Sequence, residues 1–343
     1  METVQTLNRF STLTLNSKLS ARNRVVVPPM ASQTATTEGI ATQKTFEHYA
    51  RLTQAGAGLL FVEYTFVHPS GRSEENQLGI STDEHIAGLR QVAGIIHKAG
   101  AIAGLQLSHG GGKSERNLTG GSLMSPSGIS VPVRNEGLET PDAMSVEDIL
   151  LWKNAFVSAS ERAVLAGFDL IELHAAHGYG LNQFLSPITN QRLDGYGGDL
   201  LGRSRLLLEI VTVIRQKFPE LLISVRMPGQ DFFENGLLLS DTIALAQLLE
   251  KAGANLLHVS SGIGGWRGPS VRNGTEGYLV AEAARIQAYV KVPVIGVGGI
   301  QTAAYMDKVI SEKTISLVAV GRAILSDPLE FYKRIFTKEE CYV

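Results

Sequence analysis

Short runs of β-branched and other apolar residues alternate along the chain with longer segments in which apolar residues recur at the helical period. This alternation is typical of an α/β protein with a parallel sheet, because strands buried on both faces read as continuous apolar runs while the connecting helices bury one stripe. Eight runs are predicted as strands: Arg24–Val27, Leu59–Glu63, Ala101–Gln106, Leu170–His174, Leu222–Arg226, Leu256–Ser260, Val294–Val297 and Leu317–Val320.

Amphipathic segments follow the predicted strands. Glycines close several of them just before the next strand, as at Gly100 and Gly253, which is what short turns need. Eight such units predict an α/β fold of the (β/α)8 TIM barrel type, a single domain over 1–343 with a long loop after strand 3, Ser108–Asp142. A doubly wound dinucleotide fold is disfavoured, because no Gly-x-Gly-x-x-Gly run follows strands 1 to 3. The predicted helices are Gln43–Gln54, Asp83–Lys98, Val146–Ala166, Leu200–Lys217, Ser240–Lys251, Tyr278–Tyr289, Ala303–Ser311 and Asp327–Ile335.

Composition and charge narrow the range of partners. The 343 residues are 44% apolar and 19% charged, which is enough material for one large core. The formal net charge of -2 leaves no electrostatic footprint for nucleic acid or an anionic membrane. No secretion signal or membrane-spanning run is visible, so we expect a cytoplasmic protein that acts on a small molecule. The single cysteine, Cys341, excludes an internal disulfide and a cysteine-rich metal cluster within one chain.

Polar residues and glycines follow the predicted strands, at the end of a barrel where active sites lie. Strands 7 and 8 run into Gly296–Gly299 and Gly321–Arg322, the commonest phosphate-binding position of such barrels. A phosphorylated ligand is therefore predicted, although tight turns alone would also explain the glycines. Gln106 and Arg226, at the ends of strands 3 and 5, suit a planar polar ring such as isoalloxazine. An ion pair between Arg226 and Glu63 is the structural alternative.

Two histidines and a tyrosine follow strand 4, in the run His174-Ala-Ala-His177-Gly-Tyr179. Imidazoles held in one tautomer can donate hydrogen bonds to a carbonyl or phenolate oxygen, and a nearby phenol can give a proton to carbon. The alternatives are a metal site with His109 as third ligand and histidines that only pack in the core. A serine hydrolase is disfavoured, because no histidine follows His258 to complete the order Ser, Asp, His.

Several longer motifs then occur in order between Leu7 and Asp327. They are Pro28-Pro-Met30, Val62-Glu63, Gln106-Leu-Ser-His109, Glu172-Leu-His-Ala-Ala-His-Gly-Tyr179, Asn182-Gln-Phe-Leu-Ser-Pro187, Asn190-Gln-Arg-Leu-Asp-Gly-Tyr-Gly-Gly198, Arg203 and Val320-Gly-Arg322. Together they resemble the Old Yellow Enzyme family of FMN-dependent NAD(P)H oxidoreductases, in particular its short, thermophilic-like members. The His-Ala-Ala-His-Gly-Tyr run followed by Arg-x-Asp-x-Tyr-Gly-Gly is the most specific part of the resemblance.

The resemblance implies non-covalently bound FMN, reduced by NAD(P)H, and hydride transfer from FMN N5 to an electron-poor alkene such as an enal, enone, maleimide or nitro compound. His174 and His177 would hold the substrate oxygen and Tyr179 would donate the proton, so these three are the candidate catalytic and substrate-binding residues, with Gln33 as a fourth substrate contact. The candidate cofactor-binding residues are Pro28, Pro29, Met30, Ala31, Tyr64, Gln106, Arg226, Val297, Gly298, Gly299, Gly321 and Arg322.

Two positions depart from the thermophilic-like branch. Ala31 stands where relatives carry a Cys or Thr that tunes the flavin potential, and Gln33 stands where they often carry a substrate-contacting Tyr. The potential and the preferred oxidant therefore stay open. Two alternative functions are an isomerase or lyase that binds a phosphate without flavin, and a non-catalytic FMN-binding barrel. No metal, nucleic acid or membrane is expected as a partner, and a homo-oligomer is compatible with the sequence.

Overall fold

The computed structural model describes residues 6–132, 139–265 and 275–337, and within them eight parallel strands form a closed barrel. Each strand pairs with its neighbour in the sequence and the last pairs with the first, so the predicted (β/α)8 fold is confirmed. All eight predicted strands are found, with ends that differ by at most three residues. They are β1 (Val25–Val27), β2 (Leu59–Phe66), β3 (Ile102–Ser108), β4 (Leu170–His174), β5 (Leu222–Pro228), β6 (Leu256–Ser260), β7 (Val294–Gly296) and β8 (Leu317–Ala319).

Helices flank the barrel where the helical period predicts them. They begin and end with ordinary caps: Ser145 Oγ accepts from the Asp148 backbone N at 3.1 Å, and Gly253 closes a helix with a φ of 109°. Two short helices that the sequence analysis did not predict, Gly180–Leu185 and Arg322–Ser326, follow β4 and β8. The flanking helices are α1 (Gln43–Thr53), α2 (Ile86–Lys98), α3 (Val146–Leu165), α4 (Leu200–Lys217), α5 (Leu239–Ala252), α6 (Val280–Gln287), α7 (Ala303–Ser311) and α8 (Pro328–Phe336).

Apolar side chains form two layers of core. The larger layer lies between the strands and the helices, and the smaller one fills the barrel interior with residues such as Val26, Phe61 and Leu170. A two-stranded antiparallel hairpin, Leu13–Thr14 with Ser20–Ala21, packs against the interior layer and covers the amino-terminal end of the barrel. Its burial of apolar surface stabilises the end of the barrel that is opposite the candidate site.

Strand β2 contains an irregularity that shapes the site. Val62 pairs with Leu105 and Thr65 pairs with Leu107, so β2 has one residue more than β3 across this step. Such a bulge re-aims the side chains beside it. Here Glu63 contacts helix α1 while Tyr64 turns into the cavity described below.

The long loop after β3 is found where it was predicted. It contains a short 3-10 helix, Gly111–Lys113, and a strand, Met124–Ser125, that pairs with Asp142–Ala143 before α3 begins. Cys341 lies outside the described residues. In the described part of the chain, no helix is long and apolar enough to cross a membrane.

Candidate functional site

A cavity of about 550 Å³ opens at the carboxyl ends of the barrel strands. It brings together fifteen of the sixteen site residues that the sequence analysis predicted, from seven of the eight strand ends. The residues are Pro28, Pro29, Met30, Ala31, Tyr64, Gln106, His174, His177, Tyr179, Arg226, Val297, Gly298, Gly299, Gly321 and Arg322.

Gln33 is the exception, since it does not line the cavity. Its side chain is exposed and Nε2 donates to Glu74 Oε2 at 2.8 Å, so its link to the cavity runs through Glu74. Glu74 itself lines the cavity and accepts a hydrogen bond from the Tyr64 hydroxyl. No sequence signal marks Glu74, because it lies in an irregular segment well after its strand.

A buried polar network supports the floor of the cavity. The fully buried Glu172 carboxylate accepts from Gln106 Nε2 at 2.8 Å, from Ser224 Oγ at 2.9 Å and from His258 Nδ1 at 2.9 Å. Burial alone would raise the pKa of Glu172, but His258 and Arg226, together with Ser224, outweigh it and lower the pKa. The carboxylate is therefore a fixed negative charge beneath the site.

Three polar atoms of this floor lack a partner within the described residues: Gln106 Oε1, Arg226 Nε and His258 Nε2. The first two belong to buried side chains that line the cavity. Because Nε2 of Gln106 is held by Glu172, its oxygen is left as an acceptor in the cavity that Arg226 also lines. Buried groups of this kind are normally hydrogen bonded, so an acceptor and a cation in one cavity fit a polar heterocycle such as the isoalloxazine of FMN.

The alternative ion pair between Arg226 and Glu63 is wrong. Glu63 accepts from the Ser32 backbone N at 2.8 Å, from Ser32 Oγ and from the Tyr49 hydroxyl at 3.3 Å, so it lies towards α1. The bulge in β2 explains the error, because a regular strand would place residue 63 on the same face as the interior Phe61. Burial raises the pKa of Glu63 to about 7, although the hydrogen bonds from Ser32 and Tyr49 partly offset it.

The opposite part of the cavity is lined by backbone-rich turns after β7 and β8. Gly298 and Gly299 have φ values of 125° and 66°, and a Cβ at Gly298 would lie 2.8 Å from the Leu279 backbone N. Glycine is therefore required at Gly298 for conformation as well as space. With Arg322 on the same wall, this arrangement fits a phosphate.

The two histidines after β4 form a hydrogen-bonded pair. His174 Nε2 lies 3.0 Å from His177 Nδ1, so these two nitrogens meet at one point of the cavity wall. The other nitrogens are held from behind: His174 Nδ1 lies 3.3 Å from Ser108 Oγ, and His177 Nε2 lies 2.7 Å from Ser260 Oγ. Ser260 was not predicted as a site residue, although its position at the end of β6 is the signal that could have found it.

Both imidazoles are neutral near pH 7. Burial, followed by the positive charge of Arg226, holds the pKa of His174 and of His177 well below the ordinary value of 6.5. Neutral imidazoles carry one N–H each and can polarise a carbonyl oxygen by donating to it.

Tyr179 packs beside this pair, its ring stacked on His174 with centroids 4.4 Å apart. Burial, and then the charge of Glu74, raise the pKa of Tyr179 to about 12, although hydrogen bonding with Tyr64 and Ser73 opposes this. The phenol therefore keeps its proton at neutral pH. Lys113 Nζ lies 4.6 Å from the ring centroid and donates to the His177 backbone O at 2.7 Å.

His109, the third ligand of the alternative metal site, does not join the pair. Its Nδ1 accepts from the Gly111 backbone N at 3.1 Å, its Nε2 lies 3.1 Å from Ser70 Oγ, and its ring stacks on Trp152 at 3.7 Å. His109 is a packed and hydrogen-bonded residue of the loop after β3. In the ranges that the structure covers, no group of three or more His, Cys, Asp or Glu side chains is arranged to hold a metal.

Fold and site together define a (β/α)8-barrel enzyme with room for a phosphorylated, planar cofactor next to two neutral imidazoles. The NADH:flavin oxidoreductase / NADH oxidase family matches the chain over residues 10–339. The chain is 37% identical over 311 residues to an NADPH dehydrogenase of Halalkalibacterium halodurans, covering 90% of this chain and 89% of that protein. It is 36% identical over 315 residues to an NADH oxidase of Thermoanaerobacter brockii, which covers 90% of this chain but only 48% of that longer protein.

Solved structures agree with the sequence matches. Morphinone reductase superposes with a TM-score of 0.81 at 26% identity, over 96% of this chain and 90% of its own. The old yellow enzyme homologue from Zymomonas mobilis, at 20% identity and a TM-score of 0.79 over 95% of this chain and 92% of its own, shares the fold.

The chain belongs to the NADH:flavin oxidoreductase / NADH oxidase family, that is, the Old Yellow Enzyme family. It is an NAD(P)H-dependent oxidoreductase with non-covalently bound FMN, as the resemblance implied. The two alternatives, a flavin-free isomerase or lyase and a non-catalytic barrel, are therefore wrong.

Proposed function

We propose that this enzyme reduces the electron-poor C=C bond of enals, enones, maleimides or nitro compounds. The observation that carries the proposal is the pair of neutral imidazoles, His174 and His177, whose nitrogens meet 3.0 Å apart at the cavity wall next to the Tyr179 phenol. A carbonyl or nitro oxygen bound at that point would accept hydrogen bonds and be polarised, which makes the conjugated carbon more electrophilic.

Two serines support this use of the imidazoles. In the substrate-free site one of His174 Nε2 and His177 Nδ1 donates to the other, because the two nitrogens lie 3.0 Å apart. When a substrate oxygen binds, Ser108 and Ser260 would donate to His174 Nδ1 and His177 Nε2, and His174 Nε2–H and His177 Nδ1–H would both donate to that oxygen in place of their mutual hydrogen bond. Both of these nitrogens face the point where the substrate oxygen would sit. The serines would then act as positioning residues that select the tautomers.

The cofactor is proposed to lie along the floor and the glycine-rich wall of the cavity. Gln106 and Arg226 would hold the ring, Pro28 to Ala31 would contact its edge, and Val297 to Gly299 with Gly321 and Arg322 would bind the phosphate. When bound, FMN supplies the hydride chemistry between NAD(P)H and the alkene. Arg226 adds positive charge next to the ring, and the carboxylate of Glu172 holds Gln106 in one orientation.

Tyr179 is proposed as the proton donor. Its pKa of about 12 keeps the phenol protonated, and its ring lies against His174, so the proton is carried beside the polarised substrate. Tyr179 would give this proton to the α carbon of the substrate as negative charge develops there.

The double variant H174A/H177A tests the oxygen-binding role. We expect FMN to remain bound, while binding of a phenol, measured by the flavin spectrum, weakens by about tenfold or more because two hydrogen bonds are lost. Alkene reduction should slow as well. Unchanged phenol affinity and unchanged kinetics would remove both histidines from the mechanism.

The variant Y179F tests the proton donor. In stopped-flow measurements, reoxidation of the reduced enzyme by an enone should slow by about 10²-fold, whereas reduction by NAD(P)H should be unchanged. Equal slowing of both half-reactions would mean that Tyr179 only packs against His174.

We also propose that residues 1–343 form one FMN-binding barrel domain that works in the cytoplasm on a small-molecule oxidant. The formal net charge of -2 supports a partner that is neither nucleic acid nor an anionic membrane. Gel filtration with light scattering measures whether the chain is a homo-oligomer.

A further inference from the structure

A phenol that protonates a substrate must itself be reprotonated before the next turnover. The proposal that follows rests on the proposed function, in which Tyr179 is the donor. We propose that Tyr64 and Glu74 form a proton relay that returns a proton from solvent to Tyr179. Neither residue belongs to a motif that carries the family resemblance.

The relay runs from the Tyr179 phenol, through the Tyr64 ring that packs against it, to the half-exposed carboxylate of Glu74. The Tyr64 hydroxyl donates to Glu74 Oε1, and the rings of Tyr64 and Tyr179 pack with centroids 5.4 Å apart at 52°. All three side chains line the same cavity. Gln33 Nε2 donates to the other oxygen of Glu74 at 2.8 Å, which fixes the carboxylate against Tyr64.

The buried part of the relay is the Tyr64 phenol, which is 9% exposed, whereas Glu74 is partly open to solvent. Burial, and then the neighbouring Tyr179 and Glu74, raise the pKa of Tyr64 far above its ordinary value. Tyr64 therefore carries a proton at every working pH and cannot stay ionised after giving it away. The Tyr64 hydroxyl can therefore pass a proton from one neighbour to the other, but it does not remain as a phenolate.

Other groups also face Tyr179. Lys113 Nζ lies over the face of the ring, 4.6 Å from its centroid, and His174 stacks on the ring at 4.4 Å. Arg226 adds positive charge that lowers the pKa of Tyr179. Tyr64 and Ser73 are the two neighbouring hydroxyl groups that lower the pKa of Tyr179, and of these two Tyr64 donates to a carboxylate, that of Glu74.

The proton balance of one turnover is simple. The O–H bond of Tyr179 breaks as the C–H bond forms on the substrate, which leaves a phenolate. Tyr64 gives its hydroxyl proton to that phenolate and takes a proton from the Glu74 carboxyl group, which has taken one from solvent. One proton enters from water for each hydride that NAD(P)H supplies, and all three side chains end as they began.

The test compares two time courses in a single turnover of the FMN-loaded enzyme. Reduced enzyme is mixed with an enone in weak buffer. Flavin absorbance is followed together with the proton uptake by the enzyme, which a pH indicator reports.

In the wild type the two rate constants should agree. In Y64F and in E74Q proton uptake should lag, so that the ratio of the rate constants reaches about ten. E75Q, which makes the same charge change at the exposed neighbour, should keep the ratio at one.

Chemical rescue separates a relay from mere packing. Formate added to E74Q should supply the missing acid and remove the lag, whereas a structural defect would not respond. Proton uptake that keeps pace with flavin reoxidation in both Y64F and E74Q would overturn the relay and show that water reaches Tyr179 directly. If Y179F leaves flavin reoxidation unchanged, the proposed role of Tyr179 as proton donor fails, and this failure is thereby distinguished from a failure of the relay alone.

A titration provides a readout that does not depend on turnover. Ultraviolet absorbance of phenolate is followed in the FMN-loaded protein, and each variant is compared with its Y179F counterpart so that only Tyr179 contributes. E74Q removes a negative charge, so Tyr179 should ionise at lower pH, and Y64F removes the neighbouring hydroxyl that lowers the pKa of Tyr179, so Tyr179 should ionise at higher pH. If neither variant shifts the pH at which Tyr179 ionises, the contact of Tyr179 with Tyr64 and Glu74 is contradicted.

Discussion

Replacing Glu63 by Gln should change the way stability depends on pH. Glu63 is 1% exposed and its carboxylate accepts from the Ser32 backbone N at 2.8 Å and from Ser32 Oγ. Glutamine has nearly the same shape and can accept from one of these donors while its amide faces the hydroxyl. The substitution therefore removes the titration of residue 63 with little change in packing.

The magnitude follows from the pKa. Burial raises the pKa of Glu63 from 4.5 to about 7, so the folded state holds the proton more tightly than the unfolded chain. The resulting stability is complete below pH 4.5 and is lost as the pH rises through 7. A shift of this size corresponds to about 3 kcal/mol in total, of which about 2.5 kcal/mol falls between pH 5 and pH 8.

The assay is denaturant unfolding of wild type and E63Q, both at the same saturating FMN concentration, at pH 5 and pH 8. The free energy of unfolding of the wild type, relative to E63Q, should fall by about 2.5 kcal/mol over this interval, or about 3 °C in Tm. The buried histidines titrate equally in both proteins, so their effect cancels in the difference. E75Q is the matched control. A difference between wild type and E63Q that is the same at both pH values would refute the reasoning.

Two further predictions concern the cavity walls. S260A should weaken phenol binding by about fivefold, because His177 Nε2 loses its partner at 2.7 Å, while S261A serves as the matched control and a flavin-spectral titration gives the affinity. G298A should weaken FMN binding by about tenfold or more, because a Cβ would lie 2.8 Å from a backbone N at a φ of 125°. G94A, where a Cβ meets nothing within 4 Å, should keep the FMN affinity of the wild type in fluorescence titrations. Equal FMN affinity in G298A would contradict the assignment of the phosphate site.

Much of the fold and site follows from local sequence pattern. Buried parallel strands read as apolar runs, and the carboxyl ends of such strands converge in a barrel, so Gln106, His174 and Arg226 could be grouped without any knowledge of distances. The glycines after β7 and β8 indicate a phosphate site for the same reason. The amino-terminal hairpin was missed because its strands have two residues each, which is too short for periodicity.

What the sequence did not predict depends on geometry between distant segments. The bulge in β2 turns Glu63 away from Arg226, and a register shift of one residue leaves no mark on composition. Glu74 lies eight residues beyond the end of β2, in a loop whose path is set by tertiary contacts. The pairing of Ser260 with His177 joins two strand ends that are 83 residues apart.

Because of the bulge, residue 64 shapes the cavity wall without taking part in the pairing of the barrel strands. Tyr64 lies between the pairs Val62–Leu105 and Thr65–Leu107 and has no partner on β3. Its side chain can therefore be exchanged without disturbing the ladder on either side. The side chain at position 64 thus sets the shape of this part of the cavity wall, and a smaller residue there would open space for bulkier alkenes. A smaller residue at position 64 would therefore keep the scaffold but would also remove the hydroxyl that the proposed relay uses, so the substrate range and the proton supply are set by the same side chain.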